Sequence, residues 1–244
     1  MNVLCVIPAR YASTRLPGKP LKDIAGKPMI CRVYERAAKA SRVAAAIVAT
    51  DDSRIYDAVL QHGGKAVMTR KDHPTGTDRL AEVAEKYQDA DLIINVQGDE
   101  PLIEPKLIDE LAAAFDGDAD LQMATVCTEI TDESEQQNPN NVKVVMDKQG
   151  YALYFSRSLL PYPRHEGTPV YKHIGIYAYK RDFLLAYAKM AETPLEHAES
   201  LEQLRALENG YRIKVIKTPY RFVGVDTAED LEKVNAIYRQ MMQG

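Results

Sequence analysis

Val3-Leu4-Cys5-Val6-Ile7-Pro8-Ala9-Arg10 sets five apolar residues in a row, without polar alternation, ahead of a cation. A run of this kind fits a strand buried on both faces, which is the habit of parallel sheets covered by helices. The continuation, Tyr11-Ala12-Ser13-Thr14-Arg15-Leu16-Pro17-Gly18-Lys19-Pro20, adds Arg15 and Lys19 to Arg10 within one short segment that Pro8, Pro17, Gly18 and Pro20 stiffen. In open α/β sheets ligands settle outside the carboxyl ends of strands, so this first loop is where a polyphosphate would be gripped by several cations. On composition alone the default reading is that these charges are merely solvated, and the stiff backbone around them weighs against it.

Neither common phosphate signature is present. Ser13 stands at the first glycine position of a Walker A loop and Pro20 follows Lys19, while no Gly-x-Gly-x-x-Gly occurs anywhere. A P-loop hydrolase and a dinucleotide oxidoreductase both lose ground.

Further along, apolar runs alternate with helical periodicity. Met29, Ile30, Val33, Ala37 and Ala40 recur at helical spacing after Pro28; Ala44 to Ala49 and Lys65 to Met68 read as strands; Ser53 to Gln61 and Thr77 to Tyr87 read as helices capped by Ser53 and Thr77. Leu92-Ile93-Ile94-Asn95-Val96 is the strongest buried-strand signal. Such β-α-β units need crossovers, so the fold class is α/β with a mostly parallel sheet flanked by helices. The second half predicts a helix from Pro105 to Phe115, a strand from Leu121 to Cys127 and a polar connection from Thr131 to Asn141. Val142 to Met146 and Tyr151 to Phe155 form a small antiparallel hairpin, and His173 to Tyr179 a further strand. Pro161 to Tyr171 is a loop, and Arg212 to Lys217 a strand between helices over Leu195 to Glu208 and Thr227 to Met242. No linker divides the chain, so one domain over 1–244 is expected, with a smaller subregion around 138–180.

The 244 residues are 45% hydrophobic and 27% charged, with a net charge of −4, so the cations act locally and a nucleic-acid partner has no support. Cys5, Cys31 and Cys127 are scattered without metal-binding spacing and read as buried apolar groups in a reducing compartment. No stretch has membrane-spanning length and no secretory pattern opens the chain, so cytoplasmic residence without integral membrane association is expected.

Two aspartates fall where such a sheet places chemistry. Asp99, in Gln97-Gly98-Asp99-Glu100-Pro101, follows the strongest strand, and Asp226, in Gly224-Val225-Asp226-Thr227, ends another apolar run. Two carboxylates with phosphate oxygens suffice for magnesium. Each alone is open to a plainer reading, as a turn residue at Asp99 or a helix cap at Asp226. Thr69 to Arg79, with Arg70, His73, Thr75 and Gly76, enters a helix N-terminus suited to a base edge or a phosphate. Arg157 suits a carboxylate through two parallel hydrogen bonds, and His173, Glu202 and Gln203 suit hydroxyl groups, although scattered polar residues of this sort are often structural.

Val6 to Pro20, His73 to Arg79, Asn95 to Pro101, Asn138-Pro139 with Val142 to Val145, Tyr154 to Arg157, His173 to Tyr177, Leu195-Glu196, Leu201 to Arg205 and Gly224 to Thr227, taken in order, closely resemble the 3-deoxy-manno-octulosonate cytidylyltransferase family. The resemblance spans essentially the whole chain. It implies a Rossmann-like nucleotidyltransferase fold of GT-A type and transfer of CMP from CTP to an acidic eight-carbon sugar, with pyrophosphate released. By that resemblance Pro8, Ala9, Arg10, Arg15, Lys19, Arg70, Thr75 and Gly76 hold the nucleotide. Asp99 and Asp226 bind magnesium, and Gln97, Arg157, His173, Tyr177, Glu202 and Gln203 face the sugar. It also implies a homodimer and a place in lipopolysaccharide or capsule synthesis. Thr75 stands where the family usually carries serine, and the loop after Pro161 looks short, so an amino-substituted analogue or another acidic sugar such as sialic acid stays open. So does a nucleotide-sensing protein without turnover.

Overall fold

The opening apolar run becomes β1 (Val3–Ala9), with Cys5, Val6 and Ile7 completely buried. The computed structural model describes residues 1–244 apart from 13–15, 166, 221 and 244. After the first loop come a short 3-10 turn at Lys19–Leu21, an antiparallel pair β2 (Asp23–Ile24) and β3 (Lys27–Pro28), α1 (Met29–Ala37), β4 (Ala45–Thr50) and α2 (Ser53–Gln61). β5 (Ala66–Met68), α3 (Gly76–Lys86), β6 (Leu92–Asn95) and α4 (Pro105–Ala113) follow. β1 pairs in parallel with β4 on one side and β6 on the other, and β4 pairs in parallel with β5. Both neighbours of β1 are themselves apolar and buried, which is why its sequence carries no polar alternation.

Residues 1–109 with 222–244 make one compact unit and residues 110–221 a second. The second contains β7 (Met123–Ile130), α5 (Glu133–Gln137), β8 (Lys143–Met146), β9 (Ala152–Ser156), β10 (Val170–Lys180), α6 (Arg181–Tyr187), α7 (Pro194–Glu199), α8 (Gln203–Glu208) and β11 (Ile213–Lys217). β7 pairs in parallel with β11 and antiparallel with β10, and the expected hairpin is present with Lys143 opposite Ser156. α9 (Ala228–Gln243) returns to the first unit.

Several local expectations are corrected. α2 is capped by Asp52, which accepts from the Arg54 N–H, and α3 by Thr75 in a capping box with Asp78, so Ser53 and Thr77 are not the caps. A short helix, α5, interrupts the polar connection, α6 was not anticipated, and β10 starts at Val170, taking Tyr171 out of the loop. The helix expected over Leu195 to Glu208 is two helices, α7 and α8, because Ser200 adopts left-handed backbone at φ 52° and turns the chain.

Candidate active site

The ammonium of Lys19 lies 2.7 Å from Asp99 Oδ2 and 3.1 Å from Asp226 Oδ1. Three local features assemble this triad. Gly18, at φ +67° with the Tyr11 ring against it, supplies the left-handed turn that starts the 3-10 segment carrying Lys19. Gly98 lets the chain before Asp99 pass close to β1, since a Cβ there would stand 2.7 Å from the Pro8 carbonyl oxygen. The Val225 N–H then donates to the Asp99 carbonyl at 2.9 Å, fixing the two carboxylate-bearing segments side by side. An apolar cluster of Leu16, Ile24, Met29, Val225, Val234 and Tyr238 buries the same junction, and Asn235 on α9 accepts from the Ala25 N–H at 2.8 Å.

Asp226 is not the cap of α9. That work falls to Asp230 and Thr227, with Asp230 Oδ2 accepting from the Thr227 N–H at 3.0 Å and from the Asp226 N–H at 3.2 Å. Burial pulls the Lys19 ammonium toward neutrality, but Asp99 and Asp226 outweigh it and the pKa ends above the usual lysine value. Lys19 is therefore a permanent cation.

The donor set suits magnesium. Two carboxylates already converge on one positive charge, every donor is oxygen, and among the described residues no third acidic, histidine or cysteine side chain joins them as a metal cluster. A hard cation that keeps waters and takes phosphate oxygens needs no more from the protein.

Arg10, at the end of β1, reaches the base segment rather than standing free. Its Nη2 donates to the carbonyls of His73 at 2.8 Å and Thr75 at 3.2 Å, so the first loop and the segment before α3 are tied together. Gly76 opens α3, and among the described residues beyond its own chain neighbours and helix backbone no atom stands within 4 Å of where a Cβ would be. Arg70 is exposed, Ala9 is buried, and Arg15 lies outside the described residues.

Two side chains support this segment in a way that the sequence alone does not indicate. Glu82 on α3 accepts from the Arg70 N–H at 3.0 Å and from Lys86 at 2.7 Å, and its Oε2 lies 2.5 Å from His73 Nε2. Burial pushes the Glu82 carboxyl up, but the bonds from Lys86, Arg70 and His73 overcome it and hold it at about 2. Arg79 is wholly buried, donates to the Thr69 hydroxyl and sits 3.4 Å from Asp51. The i, i+4 spacing of Asp78, Glu82 and Lys86 marks a charged helix face, but nothing local says that it holds a loop.

In the second unit, β10 brings His173 and Tyr177 together with ring centroids 5.3 Å apart, across a register shift in its pairing with β7 between Ile174 and Tyr177. Thr125 fills that irregularity, donating to Ile176 O at 2.8 Å and lying 3.0 Å from His173 Nε2. Although the residue keeps partial exposure, burial of the ring pushes the His173 pKa down to about 3, so the imidazole is a neutral hydrogen-bonding group. Burial and the charge of Glu202 both raise the Tyr177 phenol, which stays protonated. Glu202 is fixed through its carbonyl, which accepts from Tyr187 Oη at 2.6 Å. Gln203 is buried and its Nε2 has no partner among the described residues, a donor that a ligand oxygen would satisfy. Arg157 is engaged by backbone carbonyls at Glu199, Ser200 and Pro139. Gln97 belongs to the first unit, in the turn closed by the Glu100 N–H.

The cytidylyltransferase family model matches residues 4–215. The chain is 58% identical over 235 residues to a 3-deoxy-manno-octulosonate cytidylyltransferase of Fusobacterium nucleatum, covering 96% of each chain, and 55% identical over 246 residues to that of Geobacter metallireducens, again covering 96% of each. A solved structure of CMP:2-keto-3-deoxy-manno-octonic acid synthetase complexed with CTP matches with a TM-score of 0.94 at 50% identity, over 99% of this chain and 100% of that one. A cytidylyltransferase from Leptospira borgpetersenii, 18% identical with a TM-score of 0.64 over 98% of this chain and 87% of that one, shares the fold. A parallel sheet whose loops gather a lysine between two aspartates, matched at this identity along nearly its full length, places the chain in the cytidylyltransferase family, among the 3-deoxy-manno-octulosonate cytidylyltransferases.

Proposed function

We propose that this enzyme transfers CMP from CTP to 3-deoxy-D-manno-octulosonate, giving the CMP-sugar and pyrophosphate. The observation that carries the reading is the position of Lys19 between Asp99 and Asp226, beside a first loop that Arg10 couples to the segment at Thr75. The anomeric hydroxyl attacks the α-phosphorus. The new oxygen–phosphorus bond forms as the bond to the oxygen bridging the α- and β-phosphates breaks, and pyrophosphate leaves with that electron pair while the proton of the hydroxyl passes to solvent water.

Lys19 and Arg10 set fixed positive charge against the triphosphate, where charge gathers on the leaving group. Asp99 and Asp226 would hold magnesium, which when bound supplies Lewis-acid polarisation and charge neutralisation. Arg70, Thr75 and Gly76, with Pro8 and Ala9, form the nucleotide-holding part of the first unit. Gln97, Arg157, His173, Tyr177, Glu202 and Gln203 serve the acidic sugar. A neutral imidazole, a protonated phenol and an unpartnered buried amide are groups that exchange hydrogen bonds with hydroxyls.

Cytoplasmic residence is supported by three cysteines that are all free and buried. No helix among the described residues is long and apolar enough to cross a membrane. A homodimer through the region of β8 and β9 is supported by the exposed apolar side chains of Leu153 and Tyr162. The product feeds lipopolysaccharide or capsule synthesis. The deciding experiment measures pyrophosphate release with each nucleoside triphosphate against the eight-carbon acid, its amino-substituted analogue and sialic acid, with and without magnesium. Turnover confined to CTP, the eight-carbon acid and magnesium is expected; CTP binding without pyrophosphate release for any acidic sugar would overturn the reading.

A further inference from the structure

Lys143 is a wholly buried lysine on β8, and nothing in the chemistry above uses it. Burying an ammonium is costly unless it is partnered, and an apolar residue would fill a sheet position more cheaply. Its Nζ donates to two carbonyls, Arg157 O at 2.6 Å and Asn138 O at 3.1 Å. Burial lowers its pKa, with Glu199 opposing the shift and Arg157 adding to it, yet even a neutral amine keeps two N–H donors for those two carbonyls.

The partners converge on one residue. Lys143 holds the Arg157 carbonyl, and the Glu199 carboxylate holds the Arg157 N–H at 3.0 Å while accepting from Ser156 Oγ at 2.5 Å. With its backbone fixed on both sides, Arg157 folds its guanidinium over the turn between α7 and α8, donating from Nε to Glu199 O at 2.8 Å, from Nη2 to Ser200 O at 3.4 Å and from Nη1 to Pro139 O at 3.3 Å. A guanidinium has five N–H donors, so two are unused among the described residues, and a planar carboxylate takes two. The same turn leads directly into Glu202 and Gln203.

We infer that Lys143 is a positioning residue for capture of the sugar acid, holding Arg157 so that its two remaining N–H donors are pre-set for the substrate carboxylate. This rests on the assignment of Arg157 to the sugar. The test is steady-state kinetics of the full-length enzyme carrying K143M, with E199Q and R157A in parallel. K143M is expected to raise KM for the acidic sugar by about tenfold or more, with KM for CTP within about twofold of wild type. E199Q, which weakens the grip on the Arg157 N–H without emptying the buried lysine site, is expected to move the same constant in the same direction and decides the matter if K143M does not fold. An unchanged sugar KM in K143M and E199Q beside a raised one in R157A would overturn the inference. So would an equal rise in both Michaelis constants, the mark of a merely structural role. An unchanged sugar KM in R157A would instead overturn the assignment of Arg157 itself.

Discussion

The backbone N–H of Val225 donates to the backbone carbonyl of Asp99 at 2.9 Å, so the two carboxylate-bearing segments are registered by main chain rather than by the cation between their side chains. Removing one carboxylate should therefore leave the fold in place and remove chemistry. D99N and D226N are each expected to melt near the wild-type temperature while kcat falls by about a hundredfold or more, the scale on which loss of one preorganised charge-stabilising group is felt. Thermal melts with single-turnover CTP assays check this, and near-normal turnover in either variant with magnesium present would remove that aspartate from the mechanism.

Lys19 offers a pH counterpart. Its folded pKa is raised, so the stability that it gains from the two aspartates is fully present below the unfolded lysine value and is lost only as pH rises through the higher folded value. Lys19 should therefore contribute no alkaline fall in activity below the usual lysine range. In the D99N/D226N double variant burial is left unopposed, and the ammonium should titrate at lower pH, measurable by competitive amine labelling of Lys19.

His173 works in the opposite sense. With its pKa lowered from 6.5 to about 3, its contribution to stability is present above the unfolded value and is lost as pH falls through the interval between the two. Between pH 7 and pH 5 wild type should lose about 2 kcal/mol through this residue, and H173N should not. Urea unfolding at the two pH values checks it. An equal loss in both proteins would mean that His173 is protonated in the native state.

Gly98 is a steric requirement. G98A would press a methyl group to 2.7 Å from the Pro8 carbonyl oxygen, and backbone on both sides leaves little to yield. A cost of about 1–3 kcal/mol is expected, with turnover reduced because the displaced chain carries Asp99. Denaturant midpoints and kcat measured together would test it, and a stable, active G98A would show that β1 and the turn can separate.

Glu82 concerns nucleotide choice. E82A frees the Arg70 N–H and the His73 ring together, loosening the segment before α3 without touching Lys19, Asp99 or Asp226. KM for CTP should rise about tenfold and the preference over UTP should weaken, with KM for the sugar acid unchanged. A fall in kcat alone would assign Glu82 to stability only.

The parallel strands and the Lys19, Asp99 and Asp226 triad were legible in the sequence for one reason. A strand buried on both faces must be apolar throughout, and charged residues just beyond its carboxyl end have few structural uses. The break at Ser200 was not legible, because a serine in left-handed backbone carries no local signal. It is set by a bidentate pair, Arg205 to Glu196 at 2.8 and 2.5 Å, and by the Leu201 N–H bonding to Glu196 O at 3.2 Å. Lys143, flanked by Val142 and Val144, looks like the solvent side of a strand, and only the carbonyls gathered around it by the turn at Asn138 and the end of β9 explain its burial. The place of Arg10 just beyond β1 marks it in the sequence as a cation for the triphosphate, but its bonds to carbonyls 63 and 65 residues away needed the fold.

The separation of 207 residues between Lys19 and Asp226 has a consequence for biosynthesis. The first unit cannot acquire its second carboxylate, or the apolar cover that Val225, Val234 and Tyr238 provide, until the whole of 110–221 has been translated. A nascent polypeptide on the ribosome is thus unable to charge a sugar, and an mRNA truncated just ahead of the Asp226 codon yields an inert product whatever the quality of its earlier strands.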